Sequence, residues 1–124
     1  MIELAQLEDM FAGIASGPKW DMSKPMLWGY FFTDESVEKL ESIVPDLERH
    51  GCRFVDIFTP ELEAGEPPYF FLHVECEEVH TPATLFQRNQ AFYALAEQHG
   101  LLGYDGMDVS PLNDQRQDGQ SKRS

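Results

Sequence analysis

The chain has 124 residues and a mass of 14.2 kDa, the size of one domain that can build its own hydrophobic core. Twenty-two acidic residues against nine basic ones give a formal charge of −13. This charge repels nucleic-acid phosphates and anionic membranes, so direct binding to either is excluded as the expected function. A hydrophobic share of 42% argues against a disordered chain.

The N-terminal segment predicts a short amphipathic helix over residues 2–14, because its apolar residues recur at helical spacing. The next stretch, SGPKWDMSKP, contains a glycine and two prolines, as is typical of a linker. Residues 1–25 are therefore assigned to an N-terminal helix and linker. The apolar positions of the helix are Leu4, Leu7, Phe11 and Ile14.

The segment MLWGYFF at 26–32 is short and rich in aromatic residues, which predicts a strand. A helix follows, and Pro45 is expected to kink it or to split it after Val44. Gly51 suits the position just beyond its end. The apolar stripe of this helix is Val37, Leu40, Val44 and Leu47.

The second half of the chain predicts strands over 53–58 and 69–76, both rich in β-branched and aromatic residues. A helix is predicted from Thr84, where a capping-box pattern begins, to about His99. A last strand is predicted over 102–109.

After the N-terminal helix, the order of elements is therefore β-α-β-β-α-β. This order predicts an α+β, ferredoxin-like domain over 26–112, with a four-stranded antiparallel sheet and two helices on one face. The residues 113–124 contain no apolar side chain and are expected to be disordered. We expect the N-terminal helix to cover the second face of the sheet, the alternative being a partner. The residues expected in the core are Leu40, Val44, Leu47, Leu85, Phe92 and Leu95.

The sequence predicts no catalytic centre, no cofactor and no metal site. The best metal candidate is the trio His73, Glu75 and Glu77 on one strand face, which more often forms a solvated surface. Cys52 lies two residues from His50, in a context that favours the core over nucleophilic catalysis. Without a signal peptide or a transmembrane segment, the expected location is the cytoplasm, where Cys52 and Cys76 should be reduced.

Three stretches of the chain resemble the family of the regulator of ribonuclease activity B. They are WDMSKPMLWGYFF with the following TDESVEKLESIVPDLERHGCRF, then FFLHVEC with the helix through ALAEQHG, and finally Tyr104-Asp105-Gly106. Together they span residues 20–110. The resemblance implies a ferredoxin-like domain without catalytic activity, which binds a basic protein segment and inhibits ribonuclease E.

The leading hypothesis is therefore an acidic regulator that binds a basic protein, with the charge of −12 on residues 26–112 steering association. An immunity-type inhibitor of a basic toxin or nuclease is an alternative within the same class. A small-ligand or metal-binding enzyme is an alternative from another class. The oligomeric state stays open. The predicted partner-binding residues are Tyr69, Phe71, Glu75, Glu77, Tyr104, Asp105 and Asp108.

Overall fold

A computed structural model describes residues 1–112 of the chain and shows the predicted order of helices and strands. The predicted tail, 113–124, lies outside the described residues. The elements are α1 (Leu4–Ser16), β1 (Met26–Asp34), α2 (Val37–Ser42), α3 (Val44–Arg49), β2 (Cys52–Phe58), β3 (Phe70–Glu78), α4 (Pro82–Gln98) and β4 (Gly103–Ser110).

The four strands form one antiparallel sheet in the order β2-β3-β1-β4. The first strand therefore lies in the middle, next to β3 and β4, and β2 and β4 are the two edges. This topology confirms the predicted α+β, ferredoxin-like arrangement with an additional N-terminal helix. Two bulges interrupt the ladders, one in β2 between Phe54 and Asp56 and one opposite Phe31 and Phe32 in the pairing with β4.

The helix boundaries follow the local capping chemistry. The predicted break near Pro45 occurs slightly earlier than expected, at Ile43, so that Pro45 lies in the first turn of α3, where its missing N–H costs no helical hydrogen bond. The cap of α4 was predicted wrongly: its N-cap is Thr81, whose hydroxyl accepts a hydrogen bond from the Thr84 backbone amide. Within residues 1–112, no helix combines the length and the apolar character that crossing a membrane requires.

The hydrophobic core lies between one face of the sheet and the helices α2, α3 and α4. Phe92 of α4 is fully buried at its centre, with its ring edge-on to Tyr30 at 4.9 Å between centroids. Five of the six residues expected in the core are buried, and the sixth, Val44, is half-buried. The five are Leu40, Leu47, Leu85, Phe92 and Leu95.

The expectation that α1 covers the second face of the sheet is wrong. Leu7 of α1 belongs to the core cluster, and the Phe11 ring stacks on Trp28 at 6.2 Å between centroids. The Trp28 side chain points to the same face as Tyr30, which contacts α4. The backbone amide of Ile2 also donates a hydrogen bond to the Tyr93 hydroxyl of α4. Helix α1 therefore packs beside α4, on the helical side of the sheet.

The expectation of two reduced cysteines is also wrong, because Cys52 and Cys76 form a disulfide. The register of the sheet explains the pairing: the two residues lie directly opposite each other on β2 and β3, with Cα atoms 4.3 Å apart. Both side chains are buried on the helical side. The separation of 24 residues contained no information about this register.

Candidate functional site

The second face of the sheet, which we call the open face, carries most of the predicted binding residues. Side chains alternate between the two faces along each strand, so the face opposite the helices is defined by the register of the four strands. The open face consists of Leu27, Gly29, Phe31, Thr33, Arg53, Asp56, Phe58, Phe71, His73, Glu75, Glu77, Asp108 and Ser110.

A glycine lies at the centre of the open face. A Cβ atom on Gly29 would be 2.5 Å from Oδ1 of Asp108 and 2.9 Å from Nε2 of His73. The missing side chain therefore leaves space for a carboxylate and an imidazole above the backbone of β1. The His73 ring also stacks on Phe31, with centroids 4.5 Å apart and planes inclined by 11°. The residues His73 and Phe31 are direct cross-strand partners, and such pairs stabilise a sheet.

Carboxylates surround this central histidine. An oxygen of Asp56 lies 4.0 Å from Nδ1 of His73, and an oxygen of Glu75 lies 3.9 Å from Nε2 of the same ring. Glu75 is mostly buried and accepts a hydrogen bond from Arg53 at 2.8 Å. Partial burial raises the pKa of Asp108, and the charge of Glu75 raises it further, whereas the charge of His73 and the Gly29 backbone amide lower it. The open face therefore concentrates negative charge at a partly desolvated site.

An aromatic cluster lies at one end of the open face. The rings of Phe58 and Phe71 stack with centroids 5.3 Å apart, and the Tyr69 ring lies 5.7 Å from Phe71. Phe58 is exposed, and Phe71 and Tyr69 are half-buried. Glu77 lies at the opposite end of β3, so the face changes from aromatic to acidic along the strand.

The structure brings together five of the seven predicted site residues. Four of them, Phe71, Glu75, Glu77 and Asp108, lie on the open face, and the Tyr69 ring packs at an angle against Phe71. Asp105 is exposed in the bulge of β4.

Tyr104, also predicted as a partner-binding residue, lies on the helical side of the sheet. It is 5% exposed, and its hydroxyl donates a hydrogen bond to Oδ1 of the buried Asn89 at 2.5 Å. Tyr104 pairs with Phe32, whose side chain faces the helices, so the register directs the tyrosine into the core. Burial accordingly raises its pKa. Tyr104 is therefore not part of the open face.

The trio His73, Glu75 and Glu77 shares the open face. Among residues 1–112, these and the other candidate ligands form no group that could hold a metal ion. Sequence reasoning missed Gly29, Arg53 and Phe58 as parts of the same surface. The alternation of β1 already placed Phe31 away from Trp28, but the neighbours across the strands depend on the register.

A second polar cluster lies on the helical side, around Glu78. Its carboxylate accepts a hydrogen bond from the Tyr30 hydroxyl at 3.0 Å, lies 2.9 Å from Nε2 of His80 and pairs with Arg88. Burial alone would raise the pKa of Glu78, but these partners outweigh it and lower the pKa. The Thr84 hydroxyl lies 3.0 Å from Nδ1 of His80. Because these groups bind one another, the cluster connects the β3–α4 loop to β1.

The fold and this surface define an acidic, ferredoxin-like α+β domain with one sheet face free of described helices. The family model described as RraB, regulator of ribonuclease activity B, matches residues 5–109. The match covers most of the chain, and the protein belongs to this family of regulators of ribonuclease activity. A search of curated proteins found no significant match.

Proposed function

We propose that this protein is a non-catalytic regulator that binds a basic segment of a ribonuclease and inhibits it. Ribonuclease E is the partner that the family resemblance favours. The observation that carries the proposal is the open face, where four carboxylates and an aromatic cluster lie on one surface of a regulator family member.

The charge distribution supports a basic partner. Four carboxylates of the open face stand against one guanidinium among the described residues, and the domain over 26–112 has 16 acidic and four basic residues. Such an excess attracts Lys- and Arg-rich segments at long range and accelerates association. The carboxylate of Glu75, whose side chain is mostly buried, gains most from a cationic partner, because water screens it least.

The aromatic cluster supports a protein partner. Binding energy in protein interfaces is concentrated in a few well-packed aromatic or arginine anchors, while charges at the rim mainly set the association rate. Phe71 is held between Phe58 and Tyr69 and is therefore positioned before a partner arrives. Because the Phe71 side chain is already held in place, less conformational entropy is lost when a partner binds.

An enzyme that acts on a small ligand receives less support. A cavity of about 330 Å³ is lined by linker and terminal residues such as Trp20, Lys24 and Leu112, and not by the His73 cluster. The polar cluster around Glu78 uses its groups for internal hydrogen bonds.

The experiment is surface plasmon resonance of the full chain against purified ribonuclease E at low and high salt. We expect binding that weakens with salt, together with slower RNA cleavage by the bound enzyme. The double variant Glu77→Gln/Asp108→Asn should bind more slowly and depend less on salt. Phe71→Ala should dissociate faster, with a loss of about 2 kcal/mol if it is an anchor.

The matched control is Glu38→Gln/Glu41→Gln, which removes the same charge from exposed positions of α2. It should affect binding less than the open-face variant. An absence of binding, or an affinity that is indifferent to salt, contradicts the proposal. Equal effects of the two double variants would exclude the open face as the contact surface.

A further inference from the structure

The edge strand β2 exposes apolar side chains. Phe54 is 46% exposed, Val55 39% and Phe58 37%, so three of the seven exposed large hydrophobic residues described lie on one strand of seven residues. Soluble proteins usually protect an edge strand with charges, prolines or a covering segment, because its unpaired backbone groups accept further strands. This edge has only one charged residue of each sign, Arg53 and Asp56.

The backbone of β2 also has groups that point away from its neighbour. A Cα distance of 4.3 Å between Cys52 and Cys76 is typical of a non-hydrogen-bonded pair in an antiparallel ladder. Hydrogen-bonded and non-hydrogen-bonded pairs alternate, so Phe54, two residues later and before the bulge, also belongs to a non-hydrogen-bonded pair. The N–H and C=O groups of Cys52 and Phe54 therefore point to the free side of the strand, where another chain can pair with them.

The other edge, β4, is protected. Met107 and Val109 pack against the core, and Gly106 is covered by Ile2, whose Cδ1 atom lies 3.8 Å from the position that a Cβ would occupy. The two edges of the same sheet thus differ, with apolar residues covered at β4 and uncovered at β2.

The charge around β2 indicates which occupant fits. The loop that follows the strand contains Glu61, Glu63 and Glu66, and no Lys or Arg occurs between Arg53 and Arg88. A second copy of the chain would bring a further charge of −13 to this edge. A segment with Lys or Arg residues would instead neutralise it.

We propose that the β2 edge binds an extended segment of the ribonuclease partner as a fifth strand of the sheet. The inference rests on the proposed function and adds the mode of binding. The segment alternates apolar residues, which contact Phe54 and Ile57 on the helical side, with basic residues, which lie near Asp56 on the open face. Backbone hydrogen bonds supply affinity, and the alternating side chains supply specificity.

Hydrogen–deuterium exchange of the full chain, alone and saturated with purified ribonuclease E, tests this directly. In the free protein, the amides of Cys52 and Phe54 should exchange rapidly, because they point to solvent. In the complex, both should become protected by about tenfold or more as they donate to the added strand.

Variants test the same contact by affinity. Phe54→Pro removes an amide that points away from β3, and Val55→Thr keeps a β-branched residue while it reduces the apolar surface. Each should weaken binding about tenfold. Val79→Thr is the matched control, since Val79 is exposed but follows β3 and lies outside the edge. If Phe54→Pro fails to fold, the affinity of Val55→Thr and the exchange data still test whether a partner strand pairs with β2.

The outcomes separate the two proposals. Salt-dependent binding without protection of the Cys52 and Phe54 amides overturns strand addition and leaves the proposed regulator intact. An absence of any binding overturns both. Protection of β2 in the free chain, together with a dimer in analytical ultracentrifugation, would assign the edge to a second copy and overturn the choice of partner.

Discussion

Replacing Gly29 by alanine tests the geometry at the centre of the open face. The new methyl group would lie 2.5 Å from Oδ1 of Asp108 and 2.9 Å from Nε2 of His73, distances that no Cβ contact tolerates. Both atoms are the ends of side chains, so the side chains should rotate away and leave the backbone of β1 in place. Asp108 then moves into water and loses the burial that raises its pKa.

The effect on stability is the difference between two terms. Gly29 has an ordinary backbone conformation, so alanine should stabilise the fold by about 0.4–1 kcal/mol by restricting the unfolded chain. Off-rotamer side chains at His73 or Asp108 cost about 0.5–1.5 kcal/mol each. We therefore expect a net destabilisation of about 1 kcal/mol, a lower Asp108 pKa and weaker binding of the ribonuclease.

Gly103→Ala is the matched control. Gly103 also lies in the sheet without a positive φ, and a Cβ there would meet nothing within 4 Å. This variant should gain about 0.4–1 kcal/mol from the unfolded chain alone. Urea denaturation gives the two free energies of unfolding, and an NMR titration of the side-chain carboxyl carbons gives the pKa of Asp108. If Gly29→Ala matches Gly103→Ala in stability and leaves the Asp108 pKa unchanged, the close approach over Gly29 does not exist.

Two further predictions concern the helical side of the sheet. Phe92→Ala should lower the free energy of unfolding by about 3–5 kcal/mol in urea denaturation, because it empties the space between Tyr30 and Tyr104; a loss below 1 kcal/mol would contradict the core described for α4. Reducing the Cys52–Cys76 disulfide should cost about 3 kcal/mol, as expected for a crosslink that closes a loop of this length. Unchanged urea midpoints with and without reductant, or a native mass without the loss of two hydrogens, would show that the thiols are free.

The sequence predicted the order of the elements because hydrophobic periodicity is a local property. The alternation of Trp28, Tyr30 and Phe32 with Leu27 and Phe31 was sufficient to assign the two faces of β1. Pro45 and Gly51 indicated the break and the end of the second helical segment through their backbone restrictions, to within two residues.

Two features that the sequence did not reveal, the disulfide and the burial of Tyr104, share one physical cause, the register between strands. The disulfide requires Cys52 and Cys76 to be directly opposite each other, and a shift by one residue would place the two side chains on opposite faces. The burial of Tyr104 depends on the register as well, since a bulge separates it from Gly106 and its partner Phe32 faces the core. Periodicity along one strand contains no information about the neighbouring strand.

The position of α1 depended on contacts that its own pattern does not determine. An amphipathic helix buries its apolar face on either side of a sheet equally well. Two contacts hold α1 on the helical side, the Phe11–Trp28 stack and the hydrogen bond from Ile2 to Tyr93. Both contacts join distant parts of the chain. This arrangement places the segment before α1 near the β4 edge, where Ile2 covers Gly106, and leaves the open face without a described helix.

The excess of negative charge on the open face has a consequence for folding as well as for binding. Among the described residues, Arg53 is the one cation on this face, while Asp56, Glu75, Glu77 and Asp108 are acidic. Neighbouring like charges on adjacent strands disfavour the folded state, and the raised pKa of Asp108 expresses this cost together with its burial. Each cation that a partner brings relieves part of the repulsion, so the charge pattern that makes the isolated domain less stable makes its complex more stable.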